Sequence, residues 1–250
     1  MKTLISFLGK QQKGYRTARY CFDKNTTIEQ SYFGLALAQH IKPEHIVLVG
    51  TASSMWDVFT LDQDASAELF EQINTAIETH SLNEAILEDF SAFLTKRLDC
   101  RVTCILIDFA RDTAGQIEIL SRLSTVITQS PVIIDVTHGF RHLPMLSLVA
   151  ARYLKHIRNI TISEIFYGAL DMTDNGETPV IRLGGMLQML DWVEALAVYD
   201  KDGDYSGFSE LLAREGISPA IQQCIEDAAF FERTTNVSKA REKLNTATAE

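Results

Sequence analysis

Four short apolar runs punctuate the first two thirds of the chain; three empty into glycine or small polar residues, and the third ends in Asp108-Phe109-Ala110-Arg111. Thr3 to Leu8, His45 to Val49, Arg101 to Phe109 and Pro131 to Val136 are the kind of run that a strand buried on both faces requires. Between them the apolar spacing turns helical. A helix is predicted from Thr27 to His40, with Thr26 or Thr27 as its cap and Pro43 as its terminator. Ser66 to Leu98 reads as two acidic helical pieces, and Thr113 to Ile127 as a crossover helix. Pro144 opens another helix, with Leu146, Val149, Ala150 and Leu154 at helical spacing. A fifth strand, Ile160 to Tyr167, and a sixth, Pro179 to Leu183, are joined through Asp174-Asn175-Gly176-Glu177, a strong turn signal.

After the sixth strand the pattern is helical throughout. Met186 to Tyr199 is amphipathic, Asp200 to Gly203 is a polar break, and Phe208 to Leu212 and Ile221 to Phe231 are weaker helices. Thr234 to Glu250 is polar and too poor in large apolar residues to form its own core; it reads as a frayed helix, a linker or the start of a further element. The predicted architecture is α/β. A mainly parallel six-stranded sheet flanked by helices ends in a hairpin, residues 1–200 form the domain, and 201–250 form a helical extension.

The candidate chemistry gathers at strand ends. The stretch Pro131 to Pro144 carries Thr137, His138, Gly139, Arg141 and His142 just past a buried strand. A glycine there lets a ligand approach the backbone, and a helix start with Arg141 favours an anion. Strand one delivers Gly9 and Lys10 to the same edge, and strand two delivers Gly50-Thr51-Ala52-Ser53-Ser54-Met55-Trp56. Tyr167 and Gly168 end the fifth strand on that rim. His138 is read as a hydrogen-bond donor to a ligand. Asp135 either orients Thr137 or His138 or is a satisfied core carboxylate, and Trp56 either stacks on a nucleobase or packs a helix against the sheet. None of the loops is a G-x-G-x-x-G or G-x-x-x-x-G-K-[ST], so ordinary dinucleotide or triphosphate binding is disfavoured.

Charge narrows the ligand. With 23 basic and 33 acidic residues the net charge is −10, which argues against general affinity for long nucleic acid. An anionic ligand must therefore meet local cations, and two windows supply them: Lys10, Lys13, Arg16 and Arg19, and then Arg141, Arg152, Lys155 and Arg158. The cysteines Cys21, Cys100, Cys104 and Cys224 have no paired ligand spacing and read as free thiols in a reducing compartment. No metal is called for, since His138 and His142 lack a third ligand at a suitable spacing. No signal peptide or membrane-length apolar run is present, so a cytoplasmic protein is expected.

Asp135-Val-Thr-His-Gly139, extended by Phe140, Arg141 and Pro144, resembles the D-x-T-H-G motif of a CRISPR-associated family built on the CARF domain, the Rossmann-like sensor of type III CRISPR systems. Ile5-Ser-Phe-Leu-Gly9, the segment Gly50-Thr51 to Trp56, and Gly203-Asp204-Tyr205-Ser206 are also similar to that family, so the resemblance covers roughly residues 1–215. It implies a homodimer that binds a cyclic oligoadenylate, tetra- or hexa-adenylate, across its two-fold axis, with no other cofactor. The implied contacts are Gly9 and Lys10, Thr51 to Ser54, and Thr137 to Arg141, including Phe140.

Two roles fit that resemblance. One is a sensor that passes the signal to an effector. The other is a ring nuclease in which Ser53, Thr137 and His138 hold a ribose 2′-OH in line with its phosphate without a metal. The R-x(4 to 6)-H ribonuclease motif of relatives is missing, because no histidine follows His156 and Arg152 to His156 leaves only three residues between. The effector is therefore expected to be truncated or absent, or the domain to work alone. A nucleotide-binding regulator outside CRISPR defence is the remaining alternative.

Overall fold

The computed structural model describes residues 2–11, 14–59, 67–129 and 131–249. In chain order the first unit comprises β1 (Thr3–Phe7), β2 (Ala18–Asp23), β3 (Thr26–Gln30), α1 (Phe33–Ile41), β4 (His45–Gly50), α2 (Ala67–Glu78) and α3 (Glu84–Leu98). It continues through β5 (Arg101–Leu106), α4 (Thr113–Val126), β6 (Val132–Asp135), α5 (His142–Arg158), β7 (Ile162–Gly168) and β8 (Glu177–Arg182). The strands form a mixed eight-stranded sheet in the order β3-β2-β8-β7-β6-β1-β4-β5. Its centre is parallel: β1 lies between β4 and β6, β4 pairs β5, and β6 pairs β7.

The central strands are apolar because nothing in them reaches water. Every residue of β1, β4 and β6 is buried. Leu4, Ile46, Leu48 and Ile133 pack in one cluster with Phe33 and Leu37 of α1, Ile73 of α2 and Leu87, Phe90 and Leu94 of α3. The alternate residues Ile5, Phe7, Val47, Val49 and Ile134 are equally buried, so the sheet is covered on both faces.

The predicted hairpin is present. β7 and β8 are antiparallel, and Asp174 and Glu177 exchange backbone hydrogen bonds of 2.9 and 3.0 Å. Asn175 and Gly176 both have positive φ, 50° and 80°, as a type I′ turn demands.

The sheet has two strands more than the apolar pattern predicts. Residues 18–30, read as a polar loop running into a helix, fold into the antiparallel pair β2–β3, and β2 extends the sheet beside β8. The predicted helix start at Thr27 is accordingly wrong: Thr26 and Thr27 belong to β3, and α1 begins at Phe33. These strands lie toward the sheet's margin with one face wet. In β2, Ala18 and Tyr20 are buried while Arg19 is exposed, and β3 alternates between half-buried and exposed.

The opposite margin, β5, is closed by side chains rather than by another strand. Ser91 and Thr95, one turn apart on α3, accept the Cys104 and Val102 backbone N–H groups at 3.0 and 2.9 Å. Arg122 donates to the Leu106 carbonyl at 3.0 Å. Edge groups that would recruit another strand are thereby occupied. The four cysteines are free thiols, and burial pushes the Cys104 thiol up to about 12.

Gly185–Glu250 form a second compact unit. It contains most of α6 (Gly184–Asp202) together with α7 (Gly207–Arg214), α8 (Pro219–Arg233) and α9 (Val237–Ala249). Ser218 caps α8 with Pro219 in its first turn. The polar tail is helical because it packs on α8: Ala240 is buried, and Lys243 pairs with Asp227 at 2.7 Å. In the turn after α6, Asp204 accepts the Ser206 N–H and the Arg233 guanidinium at 2.9 and 2.8 Å. No helix among the described residues is long and apolar enough to cross a membrane.

Candidate functional site

The carboxyl ends of the parallel strands meet over β1. A Cβ placed on Gly9 would lie 2.7 Å from the Gly139 nitrogen, so the loops after β1 and β6 touch backbone to backbone. Gly139 also has φ +96°, which a side chain would strain, and its Cβ would press on Leu143 and Phe7. The loop after β4 joins them, as Met55 N–H donates to Gly9 O at 2.9 Å and Ser54 Oγ to Leu8 O at 3.0 Å. Ile107 N–H donates to Gly50 O at 2.9 Å, which adds the loop after β5. Gly168 N–H donates to Thr137 Oγ1 at 2.8 Å, which adds the end of β7.

Beneath this junction lies a buried polar cluster. Asp135 is fully buried; its Oδ2 accepts from Ser6 Oγ and its Oδ1 from Thr137 N–H at 2.8 Å. Ser6 Oγ also shares a 2.7 Å hydrogen bond with the Tyr32 hydroxyl, which reaches the Phe7 carbonyl at 3.2 Å. Burial raises the Asp135 carboxyl to about 6, opposed by the hydrogen bonds from Ser6 and from Thr137 backbone and side chain. Asp135 therefore fixes the start of the motif loop from below. Burial likewise raises the hydroxyls of Tyr15, Tyr20 and Tyr32, keeping them protonated.

His138 belongs to this lower layer. Its ring is 5% exposed and sits between Tyr15 and Tyr32, with centroids at 4.4 and 5.3 Å. Its Nε2 accepts the Phe33 N–H at 3.3 Å, so it caps the first turn of α1, whose own N-cap residue Tyr32 offers no side-chain bond. Burial lowers its pKa to about 4, and the neutral ring is the form that can accept that proton. In this arrangement His138 positions the loop and the helix and is not presented as a donor at the surface.

The remaining candidates separate into two layers. Lys10 and Arg141 are exposed, and Ala52, Ser53, Gly139, Phe140 and Tyr167 are half-buried, so these form the accessible surface over the strand ends. Gly50, Thr51, Ser54 and Trp56 are buried. Trp56 is wholly enclosed, donates Nε1–H to Thr51 O at 2.9 Å and meets Phe90 of α3 edge-on, so it packs a helix on the sheet and offers no face to a base. Ser54 Oγ takes the Thr51 N–H at 2.9 Å, making an internally satisfied turn. Gly168 is a packing glycine whose Cβ would lie 2.7 Å from the Phe33 ring.

The basic windows gather only partly. Lys10 stands on that surface, and Lys13 lies outside the described residues. Arg19 faces Glu177 at 3.8 Å. Arg141 precedes α5, whereas Lys155 and Arg158 occupy its last turn, about 21 and 26 Å away at 1.5 Å per residue. Their helix spacing carries them off the site to the C-terminal end, where the helix dipole favours cations. At the helix start Leu143 N–H goes to Phe140 O at 2.9 Å and Pro144 carries no N–H, which leaves the exposed Arg141 guanidinium as the cationic group there.

Residues that sequence reasoning did not single out complete the site. Ser6, Tyr15 and Tyr32 build its floor, and the Tyr15 hydroxyl accepts the Gly9 N–H at 2.8 Å. Phe109, past β5, leans across to Phe140 with centroids 5.4 Å apart, and the Arg111 guanidinium lies 5.0 Å over the Phe109 ring. An aromatic two residues from an arginine just beyond a strand end is a readable signal for this last group. Among the described residues no three potential metal ligands gather.

A doubly covered, mainly parallel sheet with glycine-bearing loops closing over its strand ends defines a Rossmann-like ligand-binding domain. Residues 3–171 match the family described as "CRISPR system endoribonuclease Csx1, CARF domain", and the chain belongs to that family of CRISPR-associated proteins. Over 98% of its length it is 23% identical to the CRISPR-associated protein MJ1674 of Methanocaldococcus jannaschii. The matched region covers 43% of that relative, so the chain spans less than half of its length.

Proposed function

We propose that the α/β unit is a sensor that binds a cyclic oligoadenylate, tetra- or hexa-adenylate, at the strand-end opening of a homodimer in type III CRISPR defence. The observation that carries this reading is the convergence of the strand-end loops over β1, with Lys10 and Arg141 exposed on two of them. A compact polyanion needs few cations, which suits a protein of net charge −10 better than long nucleic acid does. Dimerisation draws support from α5, which leaves the motif loop and exposes Met145, Val149, Tyr153 and Ile157 at every fourth position. Such an apolar stripe fits a second copy of itself about a two-fold axis. In this reading the helical unit Gly185–Glu250, which begins earlier than the expected boundary at residue 201, acts as a linker toward an effector.

The hydrogen bonding favours sensing over ring cleavage. The Thr137 hydroxyl is engaged by Gly168 N–H and Asp135, and His138 is neutral and spent on α1. Of the three residues a ring nuclease would draw on, Ser53 and Thr137 are half-buried and His138 is buried, and the Thr137 hydroxyl is already engaged. The test is to titrate the chain with each ring by calorimetry and to weigh the ring by mass spectrometry after an hour. Binding with the ring intact is expected, and Arg141→Ala is expected to weaken it about tenfold, as loss of one charged hydrogen bond does. Linear products would reverse the choice between sensor and nuclease, and absence of binding to either ring would overturn both.

A further inference from the structure

The loop after β5 does more than return the chain to α4. Its Phe109 meets Phe140 of the motif loop, 5.4 Å centroid to centroid and inclined at 62°, although β5 and β6 stand three places apart in the sheet. Phe109 remains 39% exposed, and the residue after it, Ala110, is buried with a positive φ of 48°. A non-glycine residue in that conformation is held there by its surroundings, and strain of this kind clusters at ligand clamps. Here Asp112 caps α4 by accepting Gly115 N–H at 2.8 Å, and Gly115 lets Ala110 come so close that a Cβ would lie 3.1 Å from it. The outcome is a phenyl ring and a guanidinium displayed together, Arg111 lying 5.0 Å over Phe109.

We infer that Phe109 and Arg111 form a stacking platform for a purine base of the bound ligand, with Phe140 bracing the phenyl edge. The platform rests on the reading that the strand-end opening takes a cyclic oligoadenylate, and it adds the part of that ligand the glycine loops and cations leave unaddressed. Bases stack on aromatic rings and on arginine guanidinium planes alike. A phosphate is the poorer occupant, because Asp108 and Asp112 flank the pair. The purine takes the guanidinium's place on the ring face and Arg111 moves to its outer side, so the base is held between a phenyl and a delocalised cation. A phenyl has no phosphate chemistry to offer; a flat π-face is what it contributes.

The experiment uses the full chain with cyclic tetra- and hexa-adenylate, measured by calorimetry for the wild type, Phe109→Ala, Phe109→Trp and Arg111→Gln. Phe109→Ala is expected to weaken the better ring by about tenfold or more, within the range measured for loss of one base stack. Phe109→Trp is expected to bind like wild type, with its added indole emission quenched on saturation. Because Phe109 is partly exposed on a loop, melting temperatures should stay close to wild type and a folding defect is separable. Wild-type binding with Phe109→Ala unchanged and no quenching in Phe109→Trp overturns the platform while leaving the sensor reading in place. A wild type that binds neither ring overturns the sensor reading and the platform with it.

Discussion

His138 can be tested through its proton. The ring is buried between two tyrosines and accepts the Phe33 N–H, and burial lowers its pKa from 6.5 to about 4. A depressed pKa means that its stabilising contribution is complete above pH 6.5 and is lost as pH falls toward 4, since the unfolded chain binds the proton first. At pH 4.5 the two values correspond to about 2.5 kcal/mol of lost stability relative to neutral pH. His138→Gln keeps an acceptor for Phe33 but does not titrate. Urea unfolding at pH 7.5 and 4.5, followed by Trp56 emission in a Trp192→Phe background, gives the stability gap between the His138→Gln variant and its parent at each pH. At pH 7.5 the variant is expected to be less stable, because the ring packing is lost. At pH 4.5 the gap should shift by about 2.5 kcal/mol in the variant's favour. Titrations elsewhere are common to both proteins and cancel. An identical gap at both pH values would refute the claim that burial holds this histidine neutral, and with it its assignment to the floor of the site.

Asp135 should act with the opposite sign. Its pKa is raised from 3.8 to about 6, so its contribution is complete below pH 3.8 and is lost as pH rises through 6; Asp135→Asn should remove a stability change of about 2.4 kcal/mol between pH 4 and 7. An unchanged slope in that variant would contradict the buried carboxyl. At the sheet margin, Ser91→Ala with Thr95→Val strips the Cys104 and Val102 N–H groups of their acceptors. A stability loss of about 1–3 kcal/mol per orphaned group is expected in urea unfolding, together with concentration-dependent association at the exposed edge; a silent double variant would mean that water serves these groups equally well.

What the sequence made legible follows from how each element is solvated. β1, β4 and β6 are dry on both faces, so their apolar runs announce them, and Asn175-Gly176 announces the hairpin because only positive φ closes that turn. β2 and β3 carry Arg19, Glu29 and other polar residues on a wet face, and two short amphipathic strands looked like a loop and a helix cap. At the site, the motif fixed which loops matter, but residue type could not say which way a hydroxyl or ring turns. Thr51, Ser54 and Trp56 satisfy one another inward, and His138 serves a helix more than a hundred residues away in sequence. The apolar run counts Phe109 as the last residue of a strand that in fact ends at Leu106, and its partner, Phe140, comes from another strand end.

The central claim is that two copies of this chain close around one cyclic oligoadenylate at the strand-end loops. Its most direct test is the binding stoichiometry from calorimetry of the full chain with cyclic tetra- and hexa-adenylate, with sedimentation of the same samples. One ring bound per two chains, sedimenting as a dimer, is the predicted result. One ring per monomer, or no binding of either ring at micromolar concentration, would contradict the account.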